Sequence, residues 1–109
     1  VEYTGGSTGV SLSLVCGVKG HPLRIITSDA FTREKLDHMR LLGATLDLVP
    51  AEGGRMTAEL TRAMIERARV YAAETGAFWT DQMRSADQVP AYHAMAAEIL
   101  EQTGGRVEA

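Results

Sequence analysis

Two rhythms of apolar and polar positions alternate along this 109-residue chain. Short β-branched runs are separated by longer stretches whose apolar residues recur at helical spacing. Val1 to Thr4 predicts a strand, and 7–19 a helix in which Val10, Leu14 and Val18 form one stripe. Leu12, Val15 and Cys16 make that helix apolar on its other faces too, so burial on more than one side is expected. Gly20 supplies its stop and Pro22 follows. Leu23 to Thr27 reads as an interior strand. Thr32 then caps a helix over 33–42, with Leu36, Met39 and Leu42 as its inner stripe and Gly43 at its end. A third strand runs from Thr45 to Val49 and is closed by Pro50, and the loop 51–56 carries Gly53-Gly54. Thr57 caps the longest helix, 58–75, with Leu60, Met64, Ala68 and Tyr71 on one face. Arg62, Glu66 and Arg69 lie on another face, where Arg62 and Glu66 have the spacing of an ion pair. Beyond Gly76, Ala77 to Thr80 reads as a fourth strand. A last helix over 88–102 turns Val89, Ala96, Ile99 and Leu100 inward before Gly104-Gly105 breaks it.

Strands and helices thus alternate throughout, and one domain over 1–109 is expected. The fold class is α/β: a three-layer αβα arrangement around a four-stranded parallel, Rossmann-like sheet of order 3-2-1-4, joined by right-handed crossovers. Ligands of such sheets bind beyond the C-terminal strand ends, where the strand order reverses. In the order 3-2-1-4 the loops after strands one and four are neighbours. Thr4-Gly5-Gly6-Ser7-Thr8-Gly9 should therefore face Asp81-Gln82-Met83 across a crevice.

The first of these loops carries the clearest chemistry. Gly5, Gly6 and Gly9 let the backbone come close to a ligand, and the hydroxyls of Thr4, Ser7 and Thr8 gather at a helix N-terminus. Unpaired N–H groups and the positive end of the helix dipole attract a carboxylate or phosphate there. Gln82 could add an amide hydrogen bond. The spacing is not the G-x-G-x-x-G of a dinucleotide loop.

Composition narrows the field. A net charge of −3 with no basic stripe argues against a nucleic-acid partner. No apolar run approaches the roughly 20 residues of a membrane span, and no signal peptide is visible. The single cysteine, Cys16, has no internal partner; it reads as an inert core thiol and fits a reducing cytoplasm. His21, His38 and His93 lack ligand spacing, so no metal site is expected. Tyr71, Met64 and Trp79 read as packing residues. The chain starts within strand-like sequence and stops at Arg106-Val107-Glu108-Ala109, which reads as another strand beginning; both ends suggest a piece of a longer protein.

Several segments together resemble one family. Val1-Glu2-Tyr3-Thr4-Gly5-Gly6-Ser7-Thr8-Gly9 is similar to the "E-x-T-S-G-N-T-G" substrate loop of cysteine synthase–type enzymes. Phe31-Thr32-Arg33-Glu34-Lys35 and Leu41-Leu42-Gly43-Ala44 resemble the family's "S-x-E-K…L-R-A-L-G-A" segment. Asp81-Gln82-Met83 resembles its "N-Q-F", and Glu98 to Gly105 its "E-I-W-x-Q-T-G-G" run. The family belongs to the pyridoxal-phosphate enzymes of the tryptophan synthase β fold, with cystathionine β-synthase and threonine dehydratase, and the resemblance covers essentially the whole chain.

That resemblance implies the small, mobile domain of a β-elimination and β-replacement enzyme acting on an O-acylated serine or related amino acid. It assigns the substrate α-carboxylate to Thr4, Gly5, Gly6, Ser7, Thr8 and Gln82, and a contact with the cofactor ring to Ser7. Ser7 stands where the family has Asn, and Gly5 where it has Ser; the chain contains no Asn. The family's Schiff-base lysine precedes the substrate loop, and its phosphate cup follows the last residues of this chain. Neither Lys19 nor Lys35 matches that lysine. The resemblance therefore implies no catalytic residue and no covalently bound cofactor here, and an isolated chain without activity. The implied partners are a small amino-acid substrate and the large domain of the parent enzyme, with self-association through exposed apolar surface. A second reading stays open: a stand-alone Rossmann-like module that binds an anion or serves as a scaffold without catalysis.

Overall fold

Ile25 and Ile26 lie side by side on the middle strand, both wholly buried, and point to opposite faces of the sheet. That alternation sets the layers. The computed structural model describes residues 1–108. In chain order its elements are β1 (Glu2–Tyr3), α1 (Ser7–Lys19), β2 (Arg24–Ser28), α2 (Arg33–Leu41), β3 (Thr45–Val49), a 3-10 turn (Glu52–Gly54), α3 (Ala58–Thr75) and α4 (Gln88–Gln102). The three strands pair in parallel in the order β1-β2-β3, with Glu2 opposite Ile25 and Ile25 opposite Leu46. On one face Ile25 packs with Leu36 and Met39 of α2, and with Val10, Leu12 and Cys16 of α1. On the other, Ile26 packs with Leu60, Met64 and Ala68 of α3.

The three-layer arrangement and the part of the order 3-2-1 stand, but the fourth expected strand does not. Residues 77–80 run beside β1 and exchange only two backbone bonds with it: Val1 N donates to Phe78 O at 2.7 Å and Thr80 N to Val1 O at 3.2 Å. The pairing stops there because the carboxylate of Glu2 occupies the edge of β1. Arg106 to Glu108 form no strand either, and Ala109 lies outside the described residues.

Two further expectations need correction. Helix α1 buries only Gly9 and Ser13; Leu14, Val15 and Val18 are exposed, because its packed face is the narrow one against the sheet and α2. Cys16 is half-buried accordingly. Helix α4 has the expected bounds but no buried residue, so Val89, Ala96, Ile99 and Leu100 face outward. It continues past the sheet without entering either layer. On α3, Arg62 pairs with Glu59 at 2.6 Å, and Glu66 is taken by Arg69. No helix among the described residues is long and apolar enough to cross a membrane.

Candidate functional site

The loop from Thr4 to Thr8 crosses from the C-terminal end of β1 to the start of α1. Thr4 continues the sheet by one bond, its N–H donating to Ile26 O at 3.0 Å, and is buried. Its hydroxyl then accepts from Gly6 N at 3.3 Å, which folds the loop back over the strand end. Gly6 is the N-cap of α1 and offers no side chain, so the first-turn amides of Ser7 and Thr8 lack an intrahelical acceptor. Gly9 N closes the turn on Gly6 O at 3.1 Å.

Close packing explains two of the glycines. A Cβ on Gly5 would lie 2.0 Å from the ring of Phe31, and one on Gly9 would lie 2.5 Å from Met39 Sδ. At Gly6 there is open space. The loop backbone is thus pressed against Phe31 below and left open at Gly6, Ser7 and Thr8. Ser7 is exposed, and Thr8 is half-buried.

Gln82 comes to the same end of the sheet. Its side-chain Nε2 donates to Tyr3 O at 3.2 Å, next to Thr4, and its backbone N donates to Glu2 Oε2 at 3.2 Å. Thr8 and Gln82 both line one cleft of about 300 Å³, together with Leu12, Phe78 and Thr80. A neighbouring hollow of about 380 Å³ brings Ser7, Thr8 and Ser11 against Tyr92 of α4. All six residues expected around the carboxylate therefore gather at the C-terminal end of β1. One amide hydrogen of Gln82 is occupied by Tyr3 O, which leaves the second hydrogen and the amide oxygen available.

Two participants were not singled out from the sequence. Phe31 fills the space that a longer residue at position 5 would need. Glu2, wholly buried, accepts from Tyr3 N, the Thr80 hydroxyl and Gln82 N. An acid opening the shortest strand, two residues before the loop, was the available signal. Nearby, the phenol of Tyr3 is pushed above the usual tyrosine range, first by burial and then by the charges of Glu2 and Asp81. Tyr3 meets Trp79 edge-on, with ring centres 6.4 Å apart.

The two lysines sit on α1 and α2. Lys19 is at the far end of α1, about 18 Å along the helix from Ser7. Lys35 is exposed in the first turn of α2. Near the loop, the hydroxyls of Ser7, Thr8 and Ser11 line one hollow. No group of three or more His, Cys, Asp or Glu among the described residues is placed to hold a metal ion.

Comparison with known proteins gives this site a context. The family model described as pyridoxal-phosphate dependent enzyme matches residues 1–109. Cysteine synthase 1 of Neurospora crassa is 36% identical over 111 residues, covering 100% of this chain and 28% of that protein. Cysteine synthase B of Escherichia coli is 31% identical over 112 residues, covering 98% of this chain and 34% of that protein. A crystal structure of cysteine synthase from Entamoeba histolytica superposes with a TM-score of 0.81 at 29% identity, covering 97% of this chain and 30% of that one. The chain thus spans about a third of the length of these relatives. On this match, which runs from its first residue to its last, the chain belongs to the pyridoxal-phosphate dependent enzyme family.

Proposed function

We propose that this chain is the substrate-binding small domain of a cysteine synthase–like enzyme, and that the bend from Thr4 to Thr8, with Gln82, grips the α-carboxylate of an amino acid. The observation that carries the reading is the placement of Gln82 beside Tyr3, on the same cleft as Thr8. An anion resting on the open first turn of α1 would receive the amides of Ser7 and Thr8, favoured by the helix dipole. The second hydrogen of the Gln82 amide would add a donor from the other element lining that cleft. Three neutral donors converging from two elements fix both the position and the rotation of a planar carboxylate.

The chain's own part in the reaction is therefore to bind and orient. Pyridoxal phosphate, when bound in the longer protein, supplies the electron sink for β-elimination from an O-acylated serine and for the replacement that follows. Ser7 offers one hydroxyl to the cofactor ring. Closing the loop over the bound amino acid excludes water from the reacting carbon. The large domain of the parent protein would contribute the lysine and the phosphate-binding turn.

Calorimetry with O-acetyl-L-serine tests the reading. Gln82→Ala should weaken binding about tenfold to a hundredfold, the loss of one hydrogen bond to a charged group. Unchanged affinity would remove Gln82 from the site. In the same preparation, pyridoxal phosphate should give no visible absorbance band that Lys19→Ala or Lys35→Ala abolishes. Such a band would favour a chain that carries its own cofactor.

A further inference from the structure

Along the outer edge of β1 a parallel ladder begins and is then interrupted. Val1 N donates to Phe78 O, and Thr80 N donates to Val1 O. Continued in register, the ladder would next join Tyr3 N to Thr80 O and Gln82 N to Tyr3 O. Neither bond is present. The Glu2 carboxylate takes both donors instead, Tyr3 N on Oε1 at 3.0 Å and Gln82 N on Oε2 at 3.2 Å. The Thr80 hydroxyl also donates to Oε2, at 2.5 Å. Tyr3 O, freed from the ladder, accepts the side-chain amide of Gln82.

Backbone and side chain of Gln82 have thus exchanged places relative to a regular strand. Asp81, with φ of 40°, is the one non-glycine residue with positive φ among those described, and it makes the bend that this exchange requires. On the far side, Gln88 Nε2 donates to Gln82 O at 2.6 Å. Both backbone groups of Gln82 are therefore held by side chains, and the one on the sheet side is Glu2. Its burial removes water as a competing partner, and three donors satisfy a carboxylate that would be costly to bury unpaired.

We propose that Glu2 is the positioning residue for Gln82: by taking the two ladder donors it ends the strand pairing and turns the glutamine amide toward the mouth of α1. This rests on the reading that Gln82 meets the substrate carboxylate. Without Glu2, the backbone N–H of Gln82 would bond Tyr3 O, and the side-chain amide would lose its present acceptor.

Glu2→Gln tests it, because a carboxamide keeps the length but sets an NH2 donor against one of the two backbone N–H groups. In the 15N-labelled full chain, nuclear Overhauser contacts from the Gln82 side-chain amide to Tyr3 and Thr4 should disappear in this variant. The dissociation constant for O-acetyl-L-serine should rise about tenfold. The loss should not add to that of Gln82→Ala in the double variant, because both act through the same amide. A merely structural role for Glu2 would give additive losses. If Glu2→Gln does not fold, Thr80→Val should show the same pattern, and Thr80→Ser should restore it. Contacts that persist, or losses that add, overturn the proposal while leaving a Gln82→Ala effect to support the reading. No binding by the unaltered chain would remove the reading, and the role of Glu2 with it.

Discussion

Gly5 shows how one position is locked to another by packing. The Phe31 ring lies 2.0 Å from where a Cβ at position 5 would be. Gly5→Ser should destabilise the chain by about 1–3 kcal/mol in urea unfolding, the usual cost of overpacking. Adding Phe31→Ala should recover part of that loss for the serine variant, since the ring is the obstacle. Equal stability of Gly5→Ser and the unaltered chain would contradict this packing. The identity of the loop residues was legible because glycines and hydroxyls at a strand-to-helix junction have few other uses. The part played by Phe31 was not, because a clash depends on a ring 26 positions away in sequence, and no spacing rule links the two. Glu2 was equally hidden: a buried acid is satisfied by donors from distant segments, Thr80 and Gln82.

At the scale of elements, helix bounds were read well where a cap or a glycine marks them. Thr57 accepts from Leu60 N at 3.1 Å, and Gly76 ends α3 in a left-handed turn. Thr57→Ala should cost about 1 kcal/mol of stability by chemical denaturation, and Thr57→Ser much less. A neutral alanine variant would mean that α3 is held by its packed face alone. The fourth strand was misread for a specific reason. Ala77 to Thr80 has strand-like composition, but a ladder needs a partner edge with free donors, and Glu2 has already engaged those of Tyr3 and Gln82. The stripes of α1 and α4 were misread for another. Periodicity reports which face is apolar, not whether a layer is present to cover it.

The whole molecule carries that last point further. Val18 is 81% exposed, Leu41 86% and Phe78 75%, and α4 has no buried residue. Exposed apolar surface of this kind usually marks an interface. The chain spans 28% to 34% of its cysteine synthase relatives, so the large domain of a longer protein is the proposed cover. Alone, the chain should self-associate, with an elution volume in size-exclusion chromatography that falls as concentration rises. A constant monomer across a hundredfold range would contradict that expectation. What the sequence conveyed most securely at this scale was the α/β class, through the alternation of its two periods. The exposure of the last helix was not legible, since an apolar stripe does not reveal what lies against it.

The central claim is that one bend, Thr4 to Thr8, and one glutamine, Gln82, form a single carboxylate site. Titrating the 15N-labelled chain with O-acetyl-L-serine and following its amide spectrum tests this most directly. The account predicts saturable shifts at Gly6, Ser7, Thr8 and the Gln82 side chain, with the far end of α1 near Lys19 unmoved. Saturable shifts confined to other elements, or none at millimolar ligand, would contradict it.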